Sequence, residues 1–265
     1  MDRIDVAGGS VLGQAVGTGV PILLVHGSLI STAWDGFMQQ PALAAFRLIT
    51  WHRRGYGESS PAPAGFTLSD QAADAAAVMS HYGVDAAHVV GHSFGGRIAL
   101  RLLDEHPGTV SGLALLETGG PPVAAADEFI GVINTAVERH AAGDDSAAID
   151  GFLRFLAGPT YRGRLDRSLP AGWFDQIIAD AHNFFDIELP TRNTLTDSDA
   201  SAIERPVLNV IGEESPKFFQ HASQWLSDHL AHVTTFRLPS ATHLLQLDNP
   251  AGLATAVAQF VSANT

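Results

Sequence analysis

The chain has 265 residues, 46% of them hydrophobic and 16% charged, so it is too apolar to be disordered and long enough to bury a sizeable core. Its 15 Lys+Arg stand against 28 Asp+Glu, a formal net charge of −13 that repels phosphate backbones and anionic lipid, so neither nucleic acid nor a membrane surface is an expected partner. There is no cysteine, which excludes disulfides, thiolate catalysis and Cys-ligated metal centres. No run reaches the roughly 18 continuous apolar residues of a transmembrane helix. The opening Met1-Asp2-Arg3-Ile4-Asp5 lacks the charged-then-apolar layout of a signal peptide. The expectation is a soluble, cytoplasmic protein that meets a small-molecule substrate; its oligomeric state is not legible.

Val11 to Val16, after Gly8-Gly9, reads as the second arm of an N-terminal hairpin. Val20 to Val25 (VPILLV) is a continuous apolar run ending at His26-Gly27, the pattern of a strand buried on both faces. Phe46 to Trp51 is another strand, closed by the loop His52 to Gly57. Thr67 to Tyr82 reads as a helix that Thr67 or Ser69 caps and Gly83 ends. A short strand over Ala87 to Val90 is followed by a helix over Phe94 to Glu105, stopped by Pro107, and then by a strand over Val110 to Leu116.

From about Gly119 to Glu204 the alternation stops, leaving helical stretches over Glu128 to Ala141, Ser146 to Ala157 and Phe174 to Ala181 with no clear strand. It resumes with a strand over Pro206 to Ile211, a helix over Lys217 to Leu230, a strand over Val233 to Leu238 and a helix over Pro250 to Phe260. Strands separated by helices imply parallel pairing through right-handed crossovers. The expected fold class is therefore α/β, a mostly parallel central sheet with helices on both faces. Residues 1–118 and 205–265 would form the core, and 119–204 a helical cap inserted into it.

Gly91-His92-Ser93-Phe94-Gly95-Gly96 lies between a strand and a helix and fits G-x-S-x-G in the context that motif requires. A serine on a sharp strand-to-helix turn needs small flanks, which Gly91 and Gly95 supply, and Gly96 lets the helix approach closely. The turn sets Ser93 at a helix N-terminus, where N–H groups and the dipole favour developing negative charge. A serine hydroxyl is a weak nucleophile and needs a base. With the chain order Ser, acid, His of this motif, the base falls in the loop after the last strand, where His243 is the one histidine in Pro239-Ser240-Ala241-Thr242-His243. His26 reads as a loop brace, His81 and His88 as flanking surface turns, His106 as ending a helix, and His140, His182, His221, His229 and His232 as solvated. An oxyanion hole needs two backbone N–H groups. Phe94 supplies one, and Ser28 in His26-Gly27-Ser28-Leu29 the other, with Leu29 as runner-up.

HGSL, the WHRRGYGES loop, GHSFGG and the late PSATH together resemble the α/β-hydrolase superfamily of serine hydrolases, over nearly the whole chain outside the insertion. The resemblance implies a helical cap between the sixth and seventh core strands and a Ser-His-acid triad in the cleft beneath it. One position departs from the family. Its acid usually stands after the seventh strand as G-x-x-D, but the stretch here is Gly212-Glu213-Glu214-Ser215. Serine carries no charge to stabilise an imidazolium. Some family members, among them certain dehalogenases and lactone-cleaving enzymes, carry the acid after the sixth strand, where Glu117 stands. Glu117 is the preferred acid, with Glu214 and then Glu213 as alternatives.

The expected activity is that of a serine hydrolase, without cofactor or metal, acting on a small or medium apolar carboxylic ester or lactone through an acyl-enzyme. Cleavage of a carbon–carbon bond in a β-diketone by the same residues is one alternative, and a ligand-binding relative with little turnover another. Family members that open haloalkanes or epoxides use an aspartate nucleophile, which Ser93 replaces. Leu29, Trp34, Phe94, Trp173, Phe184 and Phe185 are candidate pocket walls. Arg53 and Arg54 are expected at the rim, paired on the surface. An acidic protein does not steer anions toward its pocket unless a buried arginine overrides the field.

Overall fold

A computed structural model of the chain describes residues 1–119, 123, 126–191 and 195–265. Eight strands form one sheet: β1 Asp2–Val6, β2 Gly9–Val16, β3 Val20–Val25, β4 Phe46–His52, β5 Ala87–His92, β6 Val110–Leu116, β7 Val207–Gly212 and β8 Val233–Leu238. Their order is β1-β2-β4-β3-β5-β6-β7-β8. The first two strands pair antiparallel and the rest run parallel from β4 to β8.

The period of two along each strand divides the core. In β3, Leu23 and Val25 face the helices Leu68–His81 and Phe94–Glu105, while Ile22 and Leu24 face the helix Pro250–Ala263. β5 and β7 are buried at every position, as strands covered on both faces should be. The edge strand β8 buries only Leu238. β5 runs two residues past its expected end because Gly91 and His92 keep pairing, with Leu115 and Leu116 of β6.

Thr67 is the cap of the helix Leu68–His81, closing a capping box with Asp70, whereas Ser69 donates to Glu105. The insertion between β6 and β7 holds the helices Ala126–Ala141, Asp145–Ala157, Tyr161–Ser168, Trp173–Ala179 and Asp197–Ser201, and a π-helical turn over Asn183–Glu188. Its apolar faces close on the core around Leu29, Ile30, Phe219 and Leu244. No helix among the described residues is long and apolar enough to cross a membrane.

Three placements differ from expectation. Arg53 and Arg54 are buried rather than paired on the surface. Arg54 grips Asp74 through two hydrogen bonds, of 2.8 and 2.7 Å, and donates a third to the Ala7 carbonyl, joining the loop after β4 to a helix and to the N-terminal hairpin. A guanidinium so satisfied tolerates burial, where an unpaired one would not. His88 lies inside β5, its ring edge-on to Phe260 at 5.8 Å, not at a surface turn.

Arg54→Ala would leave the Asp74 carboxylate buried without its partner. It should cost about 3–5 kcal/mol of unfolding free energy, read from chemical denaturation, and Asp74→Leu in the same chain should recover much of that loss. A loss below about 1 kcal/mol, the range of surface pairs, would contradict this role.

Candidate active site

Ser93 follows β5 directly, with φ 53° and ψ −116°, a left-handed conformation that a side chain other than glycine seldom adopts. The backbone closes tightly around it. A Cβ on Gly95 would stand 2.3 Å from the Val25 carbonyl oxygen, and one on Gly96 1.8 Å from Thr118 Oγ1, so neither position has room for a side chain. Ser93 N–H donates to the Leu116 carbonyl at 2.9 Å, which anchors the turn to the end of β6.

Glu117 follows β6, also left-handed at φ 49°, with its N–H on the Val210 carbonyl at 3.1 Å. Its buried carboxylate accepts from Gly212 N–H at 2.8 Å and from the Ser215 hydroxyl, and meets His243 Nδ1 at 2.7 Å. Glu213 and Glu214 are exposed, with backbone N–H groups bonded to the Leu238 and Ala241 carbonyls. Of the three candidate acids, Glu117 is the one in contact with His243. Burial pushes the Glu117 carboxyl up, while the bonds from Ser215 and Gly212 pull it down. Burial pushes His243 below the usual histidine range, favouring the neutral imidazole.

The His243 ring stacks on Phe219 at 3.9 Å. His92, the second residue of G-x-S-x-G, donates from Nε2 to the His243 carbonyl at 2.8 Å, its Nδ1 accepting from Gln246 Nε2 at 3.2 Å. Sequence reasoning missed His92, Gln246 and Phe219. The position of His92 inside the motif was the one available signal.

Ser93 and His243 line one cavity of about 470 Å³, shared with Ser28 and Phe94. Among the described residues no hydrogen bond joins the Ser93 hydroxyl to His243, a contact that often tightens only with substrate in place. The N–H of Leu29, the runner-up oxyanion donor, is taken by Tyr56 Oη at 3.3 Å, whereas that of Ser28 has no acceptor among the described residues. The Ser28 hydroxyl donates to Glu188, whose carboxylate forms a buried ion pair with Arg53 at 2.7 Å.

Leu29, Phe94 and Phe184 are on the cavity wall. Trp34 is not. It is fully buried in the core beneath the sheet, with its ring 5.2 Å from Phe37. Phe185 also faces away, stacked on His140 at 4.3 Å, since consecutive residues of a helical turn point in different directions. Trp173 donates to Asp166 at 2.9 Å and lines a separate cavity beyond Leu29 and Ile30. Two charged residues of the wall, Arg97 and Glu188, went unnoticed in the sequence. Among the described residues, no group of three or more His, Asp or Glu stands where it would hold a metal ion.

A model of the alpha/beta hydrolase fold family matches residues 20–250. The chain is 37% identical over 114 residues to a non-heme haloperoxidase of Rhodococcus erythropolis, a stretch covering 42% of this chain and 41% of that one. It spans less than half the length of the curated relatives it matches. The carboxylesterase CesB of Bacillus subtilis has a similar structure, with a TM-score of 0.81 at 21% identity over 100% of this chain and 92% of that one. An N-acyl homoserine lactone degrading enzyme superposes with a TM-score of 0.76 at 24% identity, over 98% of this chain and 100% of that one. These similarities and the sheet order agree: the chain belongs to the α/β-hydrolase family.

Proposed function

We propose that the protein is a serine hydrolase that cleaves a small or medium carboxylic ester or lactone, whose apolar part fills the cavity, through an acyl-enzyme. The observation that supports this reading is that Ser93, Ser28, Phe94 and His243, the last bonded to Glu117, line one cavity. Ser93 Oγ attacks the carbonyl carbon while His243 Nε2 takes its proton, and the Glu117 carboxylate stabilises the imidazolium through Nδ1. The N–H groups of Ser28 and Phe94 hold the oxyanion, aided by the N-terminus of the helix Phe94–Glu105. The tetrahedral intermediate collapses, the C–O bond to the leaving group breaks, and that oxygen takes the proton from His243. His243 then deprotonates a water molecule, which attacks the acyl-serine, and the imidazolium returns that proton to Ser93 Oγ as the Oγ–acyl bond breaks and the acid departs.

A panel of 4-nitrophenyl alkanoates tests these roles. Ser93→Ala and Glu117→Gln should each lower kcat by about 10³-fold or more, while Glu213→Gln and Glu214→Gln stay close to the parent. A silent Glu117→Gln would overturn its assignment, and an active Ser93→Ala that of the nucleophile.

The dependence on pH gives a second check. Activity needs His243 neutral at Nε2, so kcat/KM rises with pH through an apparent pKa that belongs to the Glu117–His243 pair. The Ser215 hydroxyl stabilises the Glu117 carboxylate. Removing it raises the affinity of the pair for its last titrating proton, so Ser215→Ala should move this limb to higher pH. An unmoved or acid-shifted limb would contradict the proposed link between Ser215 and the base.

A further inference from the structure

The cavity wall is mostly apolar, yet Arg97, in the first turn of the helix that Ser93 begins, reaches it from the core side. One Arg97 nitrogen donates to the Thr191 carbonyl at 2.7 Å, and the guanidinium lies over the Phe94 ring, 5.0 Å from its centre. Arg97 Nε is buried with no hydrogen-bond partner among the described residues. Arg97 as a whole is half-buried, and a guanidinium with one nitrogen shut off from water and unpaired is under-coordinated, which is costly.

The neighbouring charges do not complete it. Glu188 is the carboxylate on the same wall, but Arg53 holds one of its oxygens at 2.7 Å and the Ser28 hydroxyl the other. Arg53 is committed elsewhere, donating to Gln71 Oε1 at 2.6 Å and to the Gly27 carbonyl at 2.8 Å, although its Nε also has no partner among the described residues. Among the described residues, two guanidinium groups thus face one carboxylate, and no carboxylate forms an ion pair with Arg97. Burial pulls Arg97 down and the nearby Glu188 holds it up, but Glu188 is already shared.

We infer that Arg97 makes the cavity a receptor for a carboxylate, and that the substrate is an ester or lactone that itself carries one, such as the half-ester of a dicarboxylic acid. This rests on the serine-hydrolase reading above and narrows its substrate class. Phe94 provides both the proposed oxyanion N–H and the ring beneath the guanidinium, so the carboxylate lies a few bonds from the scissile carbonyl rather than at the end of a long chain. Guanidinium is suited to this task because its planar fork offers a carboxylate two parallel N–H donors. The acidic surface does not steer such an anion in, so recognition is local and its selectivity resides in Arg97.

Two ligands of equal chain length separate the possibilities, monoethyl glutarate and ethyl valerate. In protein carrying Ser93→Ala, which binds without turnover, calorimetry should find monoethyl glutarate bound about 10- to 100-fold more tightly, the range of a charge-assisted hydrogen bond. Adding Arg97→Met should remove that preference, and Arg97→Lys should keep part of it. Equal binding, binding of neither ligand, or a preference that survives Arg97→Met would overturn the inference. With Ser93 intact, the ratio of kcat/KM for 4-nitrophenyl hemiglutarate to that for 4-nitrophenyl valerate should fall by the same factor in Arg97→Met, and an unchanged ratio would overturn it too. Turnover of valerate that Ser93→Ala does not abolish would count instead against the serine-hydrolase reading, leaving the binding preference to be judged by calorimetry alone.

Discussion

The Glu117 carboxylate, at the end of β6, sits where β7, the turn after it and the loop after β8 come together, and each of these contributes a donor to it. Gly212 N–H comes from the end of β7, the Ser215 hydroxyl from the turn that follows, and His243 from the last loop. A buried carboxylate is tolerated only with its lone pairs occupied, so one charge fixes three separate chain segments relative to each other. The parallel register of β6 and β7, with Leu116 opposite Val210, carries Glu117 alongside Gly212, and its left-handed backbone turns the side chain across the sheet end. Ser215, at the position where the resemblance led one to expect an aspartate, contributes a hydrogen bond to the acid in place of a charge to the histidine.

A second buried charge joins the helical insertion to the core. Glu188 closes the π-helical turn Asn183–Glu188 and reaches both Ser28 and Arg53, while Asp180, just before that turn, accepts from Gly57 N–H at 3.0 Å. π-helical turns shift the phase of the residues that follow, and they recur at functional sites. Here the turn brings Glu188 to the loop that carries the proposed oxyanion donor. The position of the insertion and the orientation of Ser28 are therefore set by the same ion pair.

Much of the core was legible because its signals are local. The apolar runs of β3, β6 and β7 and the glycines around Ser93 each report a constraint contained within a few residues. The insertion was harder. The helix Tyr161–Ser168 reads YRGRLDRS, with too few apolar residues to show a period, and a π-helical turn has no sequence signature. Arg53 and Arg54 were misplaced, and Glu188 unnoticed, for one cause: they are buried by partners distant in the chain, which hydropathy cannot reveal. Trp34 was assigned to the pocket by its position along the chain and Phe185 as an aromatic residue of the insertion, but side-chain direction decides which residue faces a cavity. The choice among Glu117, Glu214 and Glu213 was a matter of distance across the sheet, which the residue types alone left open.

The central claim, that Ser93, His243 and the two backbone N–H groups act on one carbonyl, is tested most directly by a crystal structure of the protein after reaction with a 4-nitrophenyl alkylphosphonate. The account predicts phosphorus bonded to Ser93 Oγ, a phosphoryl oxygen about 2.7–3.1 Å from both Ser28 N and Phe94 N, and His243 Nε2 within hydrogen-bond reach of Ser93 Oγ. Phosphorus on another residue, a phosphoryl oxygen turned away from both N–H groups, or an imidazole swung clear of the serine would contradict it.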